Sequence, residues 1–129
     1  MKQGNDCTLV GVGYSTLQCL EASDILLKKD INCEVIDLRV LNPINFDLIV
    51  NSVIKTKKLF VVDGGWKNCG IAGEVIASVS ERIPVDTFEK SPVRITLIDT
   101  PAPTSKPLEQ TYYNTSEDIV NKVLTSFAV

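Results

Sequence analysis

Three groups of residues have the types and spacing to do chemistry. The first is Gly11-Val12-Gly13-Tyr14-Ser15-Thr16. It opens like the dinucleotide fingerprint, whose glycines let backbone approach a pyrophosphate at a helix N-terminus. Asp37 closes the next apolar run, where an acid would meet the ribose. Thr16 stands where the third glycine belongs, and that glycine serves close helix–strand packing. The segment therefore fits a tight strand-to-helix turn better than a nucleotide cradle. The second group is Gly64-Gly65-Trp66-Lys67-Asn68-Cys69-Gly70-Ile71-Ala72-Gly73. A helix start at Gly70 suits an anion. Trp66 on a glycine-rich loop suits an interface anchor, and packing against a neighbouring domain is the favoured expectation. The third group is Cys7, Cys19, Cys33 and Cys69. No two form C-x-x-C and no His completes a zinc set. Reduced, mostly buried thiols are expected. Cys69 precedes a helix start, where a thiol pKa falls, so it is the one to test for reactivity.

Without His, neither a Ser–His nor a Cys–His nucleophile can form within the chain. Glu74 and Glu81 fall on a helix surface rather than facing each other as an acid–base pair. No carboxylate run has metal-ligand spacing. The expectation is a chain with no catalytic, cofactor-binding or metal-ligating residue of its own.

The elements that must position these groups alternate between strand and helix. Apolar runs at 7–12, 33–38, 59–63 and 93–98 read as strands, with Gly64-Gly65-Trp66 ending the third. Ser15 begins S-T-L-Q, a capping-box spacing, and Cys19, Ala22, Ile25 and Leu26 follow at helical intervals. Asp30-Ile31-Asn32 breaks that helix and Asn42-Pro43 marks a turn. Phe46, Ile49, Val50 and Val53 give a second helical face, and Ala72, Ile76, Val79 and Ile83 a third. Pro101, Pro103 and Pro107 lie in a stiff loop. Thr115 or Ser116 caps a last helix with Ile119, Val120, Val123, Leu124 and Phe127 inward. Near-continuous apolar strands between amphipathic helices imply a parallel sheet covered on both faces. The fold class is α/β, a three-layer α/β/α arrangement around a mostly parallel, doubly wound sheet. A strand order 2-1-3-4 would put both glycine loops beside the switch-point crevice.

The 129 residues suit one domain, 1–129, and 44% of them are hydrophobic. A net charge of −3 is too weak to call for an ionic partner. The densest basic group, Lys55, Lys57 and Lys58, reads as a solvated helix end, so no nucleic-acid partner is expected. No secretory signal is seen, and apolar runs fall far short of the ~20 residues of a membrane span.

Several segments in register resemble a known family. VIDLRVLNPINFDLI, then SVIKTKKLFVVDGGWKNCGIAGEV, then SPVRITLIDTPAPTSKPLE, stand in the order of transketolase-type C-terminal domains. Ser52-Val53-Ile54-Lys55-Thr56 with Gly64-Gly65-Trp66 and Gly70…Gly73-Glu74 is similar to beta subunits of the decarboxylating component of pyruvate dehydrogenase. The resemblance runs from Gly4 to Phe127. It implies the C-terminal domain of a longer beta subunit, working in an assembly with an alpha subunit and a second beta subunit. Such assemblies decarboxylate 2-oxoacids with thiamine diphosphate and magnesium and pass the acetyl unit to a lipoyl group. Both cofactors bind elsewhere in the assembly, so this domain is expected to bind none and to be inactive alone. Its implied work is subunit contact and docking of the peripheral subunit-binding domain of dihydrolipoyl acetyltransferase. Candidate docking residues are Trp66, Glu89, Lys90 and Phe127. Branched-chain 2-oxoacid dehydrogenase and 1-deoxyxylulose-5-phosphate synthase share the domain, and a free-standing nucleotide module using Gly11, Gly13 and Asp37 is the rival of another class. The family has an antiparallel edge strand before Gly4, where only Met1-Lys2-Gln3 stands here, so a bare edge is expected. It also favours an acid where Lys90 stands. Mitochondrion, plastid and bacterial cytoplasm all house such complexes.

Overall fold

In the computed structural model, which describes residues 1–128, strand and helix alternate from Cys7 to Leu97 and two further helices follow. The elements are β1 (Cys7–Gly11), α1 (Ser15–Leu27), β2 (Cys33–Asp37), α2 (Phe46–Thr56), β3 (Leu59–Trp66), α3 (Ile71–Ser80), β4 (Val93–Leu97), α4 (Lys106–Tyr112) and α5 (Ser116–Phe127). The sheet order is β2-β1-β3-β4 and every pairing between these strands is parallel. Parallel strands need a crossover, and α1, α2 and α3 each supply one while covering a face. Helices α1 and α5 close a core of Leu9, Leu26, Phe60, Ile95, Ile119 and Val123 on one face. Helices α2 and α3 close Val10, Ile49, Val53, Val61, Val75 and Val79 on the other. Burial on both sides is why the central strands β1 and β3 are buried without alternation, whereas the edge strands β2 and β4 intersperse polar residues. The three-layer, doubly wound expectation is met.

Local chemistry departs from expectation in several places. Ser15 does not cap α1: Tyr14 holds the N-cap position without a side-chain bond, and Ser15 is already helical and buried. The box forms at α5 instead, where the Thr115 hydroxyl accepts from the Asp118 N–H and the Asp118 carboxylate accepts from the Thr115 N–H. Strand β3 does not stop at Asp63. It runs through both glycines to Trp66, because pairing with β4 resumes at Trp66↔Leu97 beyond an irregularity after Val62. The proline-rich loop hides α4, whose first turn tolerates Pro107 because that N–H has no helical acceptor to lose. The edge beside β2 is not wholly bare: Lys2 forms an antiparallel bridge to Val35, with hydrogen bonds in both directions.

Candidate functional site

The α1 crossover leads from β1 out to β2 and the α2 crossover from β2 back past β1 to β3, so the switch point lies at the carboxyl ends of β1 and β3. A crevice opens there, lined among others by Tyr14, Ser15, Asp63, Gly64, Tyr113 and Asn114. Its volume of about 190 Å³ is small, since ligand pockets hold roughly 300 Å³ or more. Both glycine loops border it, as their placement after β1 and within β3 requires.

The first loop is built for packing. A Cβ on Gly11 would lie 2.5 Å from Thr16 Cα and 2.8 Å from Thr16 N, so helix α1 presses directly on the strand end. Gly13 takes the left-handed turn, with φ of 59°. Asp37 is not free for a ribose. The Thr16 hydroxyl donates to its Oδ1 at 3.0 Å and Arg39 Nε donates to its Oδ2 at 2.6 Å. Thr16 therefore replaces the missing glycine with a bond that ties α1 to β2, and the nucleotide reading loses its acid.

The Arg39 hydrogen bond, helped by Thr16, holds the Asp37 carboxyl below its usual range. A depressed folded pKa adds stability above the unfolded value, about 3.9 for Asp, and that increment disappears as pH falls through the folded value. Arg39→Ala is expected to raise the Asp37 titration midpoint towards the unperturbed value. Stability curves of variant and parent should converge at acid pH. A carboxyl-carbon NMR titration checks this, and an unmoved Asp37 midpoint would refute it.

The second loop folds back on itself. The Trp66 carbonyl stands 2.2 Å from where a Cβ on Gly70 would be, and Cys69 adopts φ of 56°. Trp66 is 51% exposed, yet its indole N–H donates to the Tyr112 hydroxyl at 3.0 Å. Tyr112 in turn donates to the Thr100 carbonyl at 2.9 Å. Helix α4 thus fixes the anchor, a partner the sequence hid inside the proline-rich stretch. Exposed Ile98 and Leu108 line a shallow depression beside Tyr112. Tyr113, edge-on to Tyr112, and Tyr14 line the crevice. The carboxyl end of the sheet therefore carries exposed aromatic and aliphatic surface.

The other candidates lie elsewhere. Glu89 precedes β4 and binds Lys58 Nζ at 2.6 Å, with Lys57 Nζ at 3.8 Å. Lys58, just before β3, also sits 5.0 Å above the Phe127 ring. Glu89 and Phe127 are thus brought together through Lys58 at the amino end of the sheet, opposite Trp66. Lys90 is exposed next to them, with no ion pair among the described residues. The Lys58 contact lowers the Glu89 pKa. Lys55, Lys57 and Lys58 are not a merely solvated helix end: Lys55 pairs with Glu34 of β2, and Lys57, in the left-handed C-cap of α2, shares Glu89 with Lys58. The missed signal was the acid at Glu89, which lies too far along the chain for a helix-spacing argument to reach.

Cys7, Cys19 and Cys33 are buried and Cys69 is exposed. Cys7 and Cys33 face each other across β1 and β2, with Sγ atoms 3.2 Å apart. That contact and burial push the Cys7 thiol far above its usual range, and burial pushes Cys19 up to about 12.

This chain belongs to the transketolase C-terminal domain family: the family profile "Transketolase, C-terminal domain" matches residues 1–119. Within that family its curated relatives include "Pyruvate dehydrogenase E1 component subunit beta, mitochondrial" of Ascaris suum, 38% identical over 95% of this chain and 34% of that protein. The same subunit of Bos taurus is 36% identical over 92% of this chain and 33% of its own length. A bacterial counterpart from Rickettsia bellii is 34% identical over 95% of this chain and 38% of its own. The chain thus spans about a third of the length of the first two. Among solved structures, "Split gene transketolase, inactive beta4 tetramer" superposes with a TM-score of 0.81 and 28% identity. That match covers 97% of this chain and 39% of the other.

Proposed function

We propose that this chain is the C-terminal assembly and docking domain of a pyruvate dehydrogenase beta-type subunit. The observation that carries the reading is identity to such subunits along nearly the whole domain. Two unlike exposed surfaces at opposite ends of one sheet support it. The apolar carboxyl end, with Trp66, suits the large contacts of a permanent assembly with an alpha subunit and a second beta subunit. The amino end, with Glu89, Lys58, Lys90 and Phe127, combines an aromatic with charges, as a docking site for the acyltransferase's peripheral subunit-binding domain would.

In this reading the complex turns pyruvate into an acetyl group on lipoate, and thiamine diphosphate with magnesium does the chemistry outside this domain. The crevice does not fit either group. No cation lines it to meet a diphosphate, and Asp63 is its one carboxylate. The domain's contribution is to place surfaces, not to move electrons or protons.

Calorimetric titration of the chain with the acyltransferase's subunit-binding domain tests the docking role. Phe127→Ala with Lys58→Ala is expected to weaken binding about tenfold or more, and Trp66→Ala to leave it unchanged. Absence of binding, or loss through Trp66 alone, would reject the assignment of the amino end. The chain with added thiamine diphosphate and magnesium is expected to turn over no pyruvate, and turnover by a pure preparation would reject the reading of an assembly domain.

A further inference from the structure

Strand β4 forms the edge of the sheet away from β2, and among the described residues it pairs with β3 alone. Alternate residues of a parallel strand turn both N–H and C=O to the free side, where they seek partners. A groove of about 440 Å³ runs along this edge at 94–99. It straddles the sheet. On the α3 side stand Arg94 and Lys67, the Arg94 guanidinium donating to the Lys67 carbonyl at 3.0 Å and lying beside Gly73. On the α5 side stands Lys122. Against these three cations the groove holds one acid, Asp99, which already accepts from Asn68 at 2.8 Å. Asn114 lies in the same wall.

We propose that this groove takes an extended acidic segment of a partner protein, added to β4 as a further strand. The free edge supplies main-chain hydrogen bonds, as in other strand-addition sites. Lys67, Arg94 and Lys122 select carboxylates flanking the strand on both faces. A second copy of this chain is the wrong occupant, because edge-to-edge pairing would set the same three cations against each other. Cations on an edge also keep other strands away, and the experiment separates that guarding role from binding. The inference does not rest on the dehydrogenase reading.

The test is titration of the isotope-labelled chain with a short synthetic peptide repeating Glu-Glu-Thr-Thr, which sets carboxylates on both faces of a strand, followed by amide NMR. The expected result is shifted and slowed-exchange amides at 93–98, with no response to the matching Lys–Thr peptide. Lys67→Glu with Lys122→Glu, both exposed positions, should lower the affinity about tenfold or more, as loss of charge complementarity does. The thermal midpoint of that variant, measured beside it, should stay near the parent's. Unmoved β4 amides at millimolar peptide would overturn the proposal and leave the cations as edge guards. Equal binding of the Lys–Thr peptide, unchanged affinity in the double variant, or tighter binding of a short oligothymidylate at the same amides would each overturn it as well.

Discussion

Gly11→Val is expected to abolish the stable fold, at a cost above about 3 kcal/mol. The first side-chain carbon would sit 2.5 Å from Thr16 Cα and 2.8 Å from Thr16 N. Those are backbone atoms, so no rotamer change can relieve the clash. Helix α1 would have to lift from the strand end. Lifting it would break the Thr16–Asp37 bond and open the packing of Cys19, Ala22 and Leu26 against the sheet. Such overpacking is a large fraction of a small domain's total stability. Urea unfolding followed by circular dichroism measures the effect. Gly13→Ala is the control: its Cβ would meet nothing within 4 Å, and only the left-handed φ of 59° opposes it. That variant should lose about 1 kcal/mol. Equal midpoints for the two variants would mean that the strand–helix approach is not what Gly11 serves.

Phe60→Ala is the second large effect, expected to cost about 3–5 kcal/mol through lost burial and the cavity left behind. Phe60 is the largest fully buried side chain and lies in the core closed by α1 and α5. Helix α5 packs mainly on α1 over that same core, through Ile119, Val120 and Val123 with Leu124 and Phe127 partly buried beside them, and its capping box secures only the first turn. Hydrogen exchange in the variant should show α5 opening before α2 and α3, which pack on the other face. The contact of Lys58 with Phe127 at the far end of α5 should fail with it, so acyltransferase docking should weaken even though Phe60 touches no surface. Uniform loss of protection over both faces would show one cooperative core in place of two coupled ones.

The sheet was legible because burial on both faces leaves mostly apolar residues in β1, Thr8 apart, and in most of β3, and because one helix lies between each pair of strands. The rule for parallel crossovers then favoured a doubly wound arrangement, while the order 2-1-3-4 entered as a supposition that the fold matches. Helix caps were less legible. Both Ser15 and Thr115 start a plausible box, and only packing decides: Ser15 is drawn into the buried first turn, while Thr115 stays outside with Asp118 in reach. Helix α4 was missed because three prolines nearby outweighed a weak apolar pattern, although proline at a first turn is no obstacle. The candidate residues were identified one by one, but their grouping was not. The tie between Glu89 and Phe127 passes through Lys58, and the tie between Trp66 and Thr100 through Tyr112; both need distances that chain spacing does not contain.

The uneven placement of the four cysteines has a practical outcome. Three are sealed in the core away from reagents, two of them, Cys7 and Cys19, with thiol pKa values pushed up, whereas Cys69 stands in water on the turn between β3 and α3. A maleimide dye should therefore attach at one position without any mutagenesis. That position is three residues from Trp66, close enough for the indole to quench a suitable fluorophore. The native chain thus carries its own optical gauge at the carboxyl end of the sheet, and a change in its brightness would report any partner that covers Trp66.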